Sequence, residues 1–170
     1  ASDDCARVER ARRARARRAG REERWRRAAV RDAVGTLTEA GRPVAGAPAT
    51  ARPVAQDAAV LGRLAEVLRD VLVRDAVIAA VLTGRTVSNE GELLGALDDM
   101  FLPGAPPPDR DRAGAARQVL ADAVRPARGR TRSRLLGVLA WTSWWCGDGA
   151  TAQVMAQEAL ELDGADRLAL

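Results

Sequence analysis

At 170 residues the chain has the length of one ordinary domain, enough to bury most of the surface its unfolded form exposes. Its composition is 47% apolar but only 3% aromatic, and histidine, lysine and tyrosine are absent, which removes histidine bases and metal ligands, lysine Schiff bases and tyrosine acids together. The formal net charge of +4 is uneven: residues 1–34 hold twelve arginines against six acids, and the remainder holds fifteen against seventeen.

From Asp4 to about Leu37 there is no proline and only Gly20 and Gly35, so residues 1–40 read as one long arginine-rich helix, with Gly20 as the point where it would break. Its first part, RVERARRARARRAGREERWRR, has no apolar residue larger than alanine apart from Val8 and Trp25. In its second part Trp25, Ala29, Ala33 and Leu37 recur at four-residue steps with Val30 and Val34 beside them, a face that can dock. Glu9 with Arg13, Glu22 with Arg26 and Glu23 with Arg27 are favourable pairs worth ~0.2–0.5 kcal/mol each. Repulsion among Arg10, Arg13 and Arg17 is of similar size, so the start is expected to fray or lean on a partner.

Residues 41–56, GRPVAGAPATARPVAQ, contain three prolines and two glycines and form the one clear linker. Residues 57–170 then read as a helical domain. Asp57 is placed to cap a helix whose stripe is Val60, Leu61, Leu64, Val67, Leu68, Val71 and Leu72. Helix-compatible sequence runs on to Leu82, with a tight turn expected near Asp70 to Arg74 and Asp75 capping the second half. Asn89 and Glu92 have capping-box spacing ahead of a short helix to about Phe101, which Pro103 to Pro108 end. Asp109 or Asp111 opens the next helix, through Val119, Leu120 and Val124 to Pro126. A basic connector, Arg128 to Arg134, follows.

The stretch LLGVLAWTSWWCGDGATAQVMAQEALEL, Leu135 to Leu162, holds three of the four tryptophans and the clearest pair of helices. Leu135, Val138, Leu139, Trp141 and Trp145 wind a stripe down the first. Gly147 suits a left-handed helix end and Asp148 a cap for the second. Ala152, Met155, Ala156 and Ala159 are small enough for close antiparallel packing. No segment alternates as a strand does, so the expected fold is all-α with about seven helices.

The spacing C-G-D-x-x-x-A-x-x-x-A-x-x-A-L-E-L-D, Cys146 to Asp163, resembles the second half of a tetratricopeptide repeat, with Ala152, Ala159 and Leu160 at its packing positions and Gly164 where the repeat often has proline. Together with LAEVLRDVLVRDAV, Leu64 to Val77, the hairpin resembles the C-terminal helical part of an actinobacterial family, domain of unknown function 4192. The resemblance covers residues 57–83 and 135–170 best. It implies a helical fold and a further domain upstream, and it carries no activity. The chain opens on Ala1 and closes on Ala165 to Leu170, which read as the start of another helix, so it is expected to be the downstream part of a longer protein.

Four features bear on function. Burying a tryptophan removes ~150–250 Å² from water and would anchor a core. Neighbouring helical residues point about 100° apart, so Trp141, Trp144 and Trp145 share one core only if their helix is nearly surrounded. The main reading puts most of them in the core; the alternative is that at least one lines an interface, and Trp141, Trp144 and Trp145 are the candidate interaction surface. Arg10, Arg13, Arg17, Arg18 and Arg21 are candidate phosphate contacts for salt-dependent nucleic-acid binding. A helix-turn-helix is rejected, since Glu158, Glu161 and Asp163 would push negative charge toward phosphates. The nearest carboxylate pairs, Asp98 with Asp99 and Glu90 with Glu92, do not face each other as a helical acid–base pair would, and Cys146 beside a helix end is expected to be a buried structural thiol with a raised pKa.

The expectation is a non-catalytic protein-interaction or regulatory module with no cofactor or metal, meeting a protein partner or a second copy of itself. The alternative is a nucleic-acid-binding accessory domain. Cys5 and Cys146 are too few for a disulfide framework, no apolar run approaches ~18 residues, and no signal-peptide core is visible, so a cytoplasmic setting is expected.

Overall fold

The structure, a computed structural model, describes residues 2–39, 58–85, 87 and 89–169, with side chains from Ala14 onward except that of Glu39. Among these residues there are seven helices and no strand. They are α1 Ser2–Glu39, α2 Ala58–Val67, α3 Val71–Thr83, α4 Glu90–Phe101, α5 Arg110–Val124, α6 Gly129–Trp145 and α7 Gly149–Leu162. The 41–56 linker and Asp57 lie outside the described residues, as do the side chains of Glu9 and Arg13.

Short polar side chains start four of the helices by accepting from otherwise orphaned first-turn amides. Asp70 accepts from Val73 N at 3.1 Å, Asn89 from Glu92 N at 3.0 Å, Asp109 from Asp111 N and Arg112 N, and Asp148 from Thr151 N at 3.2 Å. Asp75 is not the cap expected from sequence. The chain turns at residues 68–70, where Arg69 N and Asp70 N bond back to Glu66 O and Val67 O. Asp70 therefore takes the extended backbone of a cap, and the carboxylate of Asp75, inside α3, accepts from Arg74 Nε at 2.8 Å. Gly84 ends α3 at φ 75°, a left-handed backbone that favours glycine. A side chain there would also collide with the Arg112 guanidinium.

α3 and α6 run through the middle. Val73 and Ala76 through Leu82 are buried on α3, as are Leu135 through Ala140, Thr142 and Ser143 on α6. The expected basic connector is instead the first turn and a half of α6, which begins at Gly129. Arg132 can stand there because Val124 O accepts from its guanidinium at 2.8 Å and Glu158 holds it from α7. Ser133 Oγ donates to Ala159 O at 2.9 Å. Contacts between the start of α6 and the end of α7 make the hairpin antiparallel, and this is the most extensive helix pair in the molecule. Ala152 and Ala159 are buried in it.

α1 passes through Gly20 without a break. Ala29, Val30, Ala33 and Leu37 are buried and pack this helix on α3 and α5, and Arg26 Nε bonds Asp70 Oδ2 at 3.0 Å. Trp25 does not join them and is 48% exposed. Steps of four residues advance about 40° beyond a full turn, so three such steps carry Trp25 roughly 120° round the helix from Leu37. Residues 163–169 form turns, not the helix expected from Ala165. Buried Asp166 organises them: its Oδ1 accepts from Leu168 N at 3.0 Å, and its Oδ2 lies 3.0 Å from Ser133 Oγ, whose one hydroxyl proton is shared with Ala159 O.

Candidate interaction surfaces

Two surfaces draw on the residues singled out from sequence. At the C-terminal end of α6 the interior is so closely filled that small side chains occupy it: Ala140, Thr142 and Ser143 are buried. The large indoles are left at the edge. This corrects the expectation that most of the tryptophans form core. Trp141 and Trp145 are half-buried against the core, and Trp144 is 54% exposed.

The ring planes of Trp141 and Trp145, four residues apart on one side of α6, stack at 5.4 Å and 7°. Phe101, at the end of α4, meets Trp145 edge-on at 5.0 Å and Trp141 at 6.4 Å. Trp144 closes the cluster at 5.5 Å from Trp145. Such pairs contribute ~0.5–1.5 kcal/mol each beyond their buried area. Phe101 is 61% exposed and Leu102 58%, and neither had been singled out for function from sequence. Residues 40 positions apart meet only through the fold, and the one available signal was an aromatic residue at a helix end directly before Leu-Pro. Beside Trp145 a cleft of about 480 Å³ opens, lined by Met100, Pro103, Pro106 and Pro107 among others.

Cys146, next in the chain, is a free, half-buried thiol. Burial pushes its pKa up, and Asp148 adds to that against Arg117 and Arg110. The direction matches expectation, but desolvation rather than helix-end carbonyls is the main cause. Asp148 itself is drawn below the usual carboxylate range by hydrogen bonds from the Thr151 side chain and from Arg117, at 2.5 Å, and from the Thr151 amide. Asp99 and Glu158 are likewise held by arginines, Arg85 and Arg132.

The second surface is on α1. Arg17, Arg18 and Arg21 are exposed, and the side chains of Arg10 and Arg13 lie outside the described residues. At 100° per residue Arg17, Arg21, Arg24 and Arg31 fall within an arc of about 80° that runs ~21 Å along the helix, while Arg18 points to another side. Glu22 holds Arg26 at 2.5 Å and Glu23 holds Arg27 at 2.7 Å. Arg17, Arg21, Arg24 and Arg31, all exposed, have no ion-pair partner among the described residues. The arc leads into a cleft of about 230 Å³ between α1, the end of α3 and α5, lined by Arg27, Arg31, Arg85 and Arg112 over Val30 and Val34, with no carboxylate among the described lining residues, although Asp99 and Asp109 hold Arg85 and Arg112 from outside it.

Among the described residues no group of three or more His, Cys, Asp and Glu side chains is placed to hold a metal ion, and no helix is long and apolar enough to cross a membrane. Compared with protein-family models, with curated proteins and with solved structures, the chain matches none.

Proposed function

We propose that this chain is a non-catalytic protein-interaction module that pairs with a second copy of itself through Phe101, Leu102, Trp141, Trp144 and Trp145. The observation that carries the reading is one four-ring cluster in which Phe101 and Trp144 are each more than half exposed. With Leu102 they put three large apolar side chains, each more than half exposed, around the half-buried Trp141 and Trp145, and an exposed apolar patch of this kind is often an interaction site. A stable pair buries about 800 Å² per partner, built as an apolar centre within a polar rim. The patch suffices for the centre. Around it the ion pairs Arg85–Asp99 and Arg117–Asp148 supply both signs of charge, which a two-fold arrangement sets against each other. The absence of histidine, lysine and tyrosine and the engagement of Asp99, Asp148 and Glu158 by arginines support a non-catalytic role. The free thiol of Cys146 is in keeping with a reducing, cytoplasmic setting.

Light scattering after size exclusion, from low to high micromolar protein, tests this. The expected result is a concentration-dependent doubling of mass that survives high salt, with the tryptophan emission moving to shorter wavelength. Phe101→Ser combined with Trp144→Ser weakens pairing by at least ~2 kcal/mol, about 30-fold in Kd, and leaves the helical circular dichroism intact because both side chains are exposed. A monomer throughout the range, or a dimer indifferent to the double substitution, overturns the reading.

A further inference from the structure

We propose that the Arg17, Arg21, Arg24 and Arg31 face of α1, continued by the cleft lined by Arg27, Arg31, Arg85 and Arg112, binds the phosphate backbone of duplex nucleic acid. Four guanidiniums without an ion-pair partner among the described residues stand on one helix face, and the buried Ala29, Val30, Ala33 and Leu37 fix the half of the helix that packs. The packed half therefore anchors the array from its C-terminal end, and Arg17, Arg21 and Arg24 stand on the exposed half that continues it. Over the ~21 Å that it covers, a duplex presents about twelve phosphate charges, so each guanidinium has one within reach. Arg27, Arg85 and Arg112 in the cleft are paired with Glu23, Asp99 and Asp109, and each keeps further N–H donors for an anion.

The arrangement also selects among polyanions. A small phosphate compound would meet the cleft alone, whereas Arg17, Arg21 and Arg24 carry the charge along a line beyond it. A single strand is held by several stacking rings, and Trp25 at the edge of the arc is the only aromatic residue on α1. A helix that lies on a membrane buries apolar residues beside its basic ones, and the apolar side of α1 is already inside the bundle.

The test is fluorescence anisotropy of a labelled duplex of mixed sequence titrated with the full chain. From the four arginines of the arc alone, affinity is expected to fall roughly 10²-fold between ~50 and ~200 mM salt, and any phosphate in the cleft steepens the fall. Two double variants remove equal charge from different sides of α1. Arg21→Gln with Arg24→Gln should lower the slope of log affinity against log salt by about two. Arg15→Gln with Arg18→Gln, both exposed and off the arc, should leave that slope near the wild-type value. No binding at low salt, equal effects of the two variants, or tighter binding to the single strand overturns the proposal. So does equally arginine-dependent binding to phosphatidylserine vesicles. The readout is separate from oligomeric mass, which neither variant is expected to change.

Discussion

Gly137 sits in the middle of α6, where glycine is about 1 kcal/mol worse than alanine. What it permits is the approach of the C-terminal turn. A Cβ at this position would stand 3.1 Å from Asp166 Oδ1 and 3.2 Å from Leu168 Cβ. Asp166 cannot withdraw, because Ser133 Oγ and Leu168 N both hold its carboxylate. Gly114, exposed on α5, has open space around the same atom. Gly114→Ala should therefore stabilise the fold by about 0.5–1 kcal/mol. Gly137→Ala should destabilise it by about 1 kcal/mol, since overpacking costs ~1–3 kcal/mol against the same helical gain. Urea midpoints of the two variants decide the matter, and equal stabilisation by both would mean that residues 163–169 do not bear on α6. Nothing in the sequence marked this contact. Gly137 lies within an apolar run, and its partner is nearly thirty residues away in a stretch that reads as helix.

Between elements, Asp148 does two things at once: it caps α7 and, through Arg117, ties the hairpin turn to α5. Its carboxyl is held below the usual range chiefly by the Thr151 side chain and Arg117. A depressed folded-state value contributes stability that is present above the unfolded value and is lost as pH falls through the folded one. The chain should thus lose stability below about pH 4. Asp109, lowered mainly by its bond from the Arg112 amide, contributes in the same window. Asp148→Asn keeps an acceptor for the cap but no charge, so it should be less stable at neutral pH and show a shallower acid limb. Parallel curves of unfolding midpoint against pH would remove Asp148 from that account. Caps such as Asn89 and Asp148 were legible because cap and amide lie within three residues of each other. The choice between Asp70 and Asp75 was not, because identical side chains are told apart only by where the backbone turns. The aromatic patch was half legible: Trp141, Trp144 and Trp145 stood out, whereas their exposure and the arrival of Phe101 depend on how α4 packs.

At the scale of the molecule, α1 divides into a half that belongs to the bundle and a half that carries charge. Periodicity showed the first half well, since Ala29, Val30, Ala33 and Leu37 are buried. It overreached at Trp25, because a four-residue repeat is longer than a helical turn and drifts off the core face. Residues 14–24 are exposed apart from half-buried Gly20, so their contribution to stability is confined to pairs such as Glu22 with Arg26, worth a few tenths of a kcal/mol each. Leu37, 1% exposed against the core, is of another order: Leu37→Ala should cost ~2–5 kcal/mol through lost burial and the cavity left behind. A chain lacking residues 1–24 should unfold within about 1 kcal/mol of the full chain, while it loses the duplex affinity assigned to the arginine face. Comparing the urea midpoints of the truncated chain, Leu37→Ala and the full chain measures the division directly. A truncation as damaging as Leu37→Ala would mean that the charged half is packed, and that its arginines serve the fold before they serve a ligand.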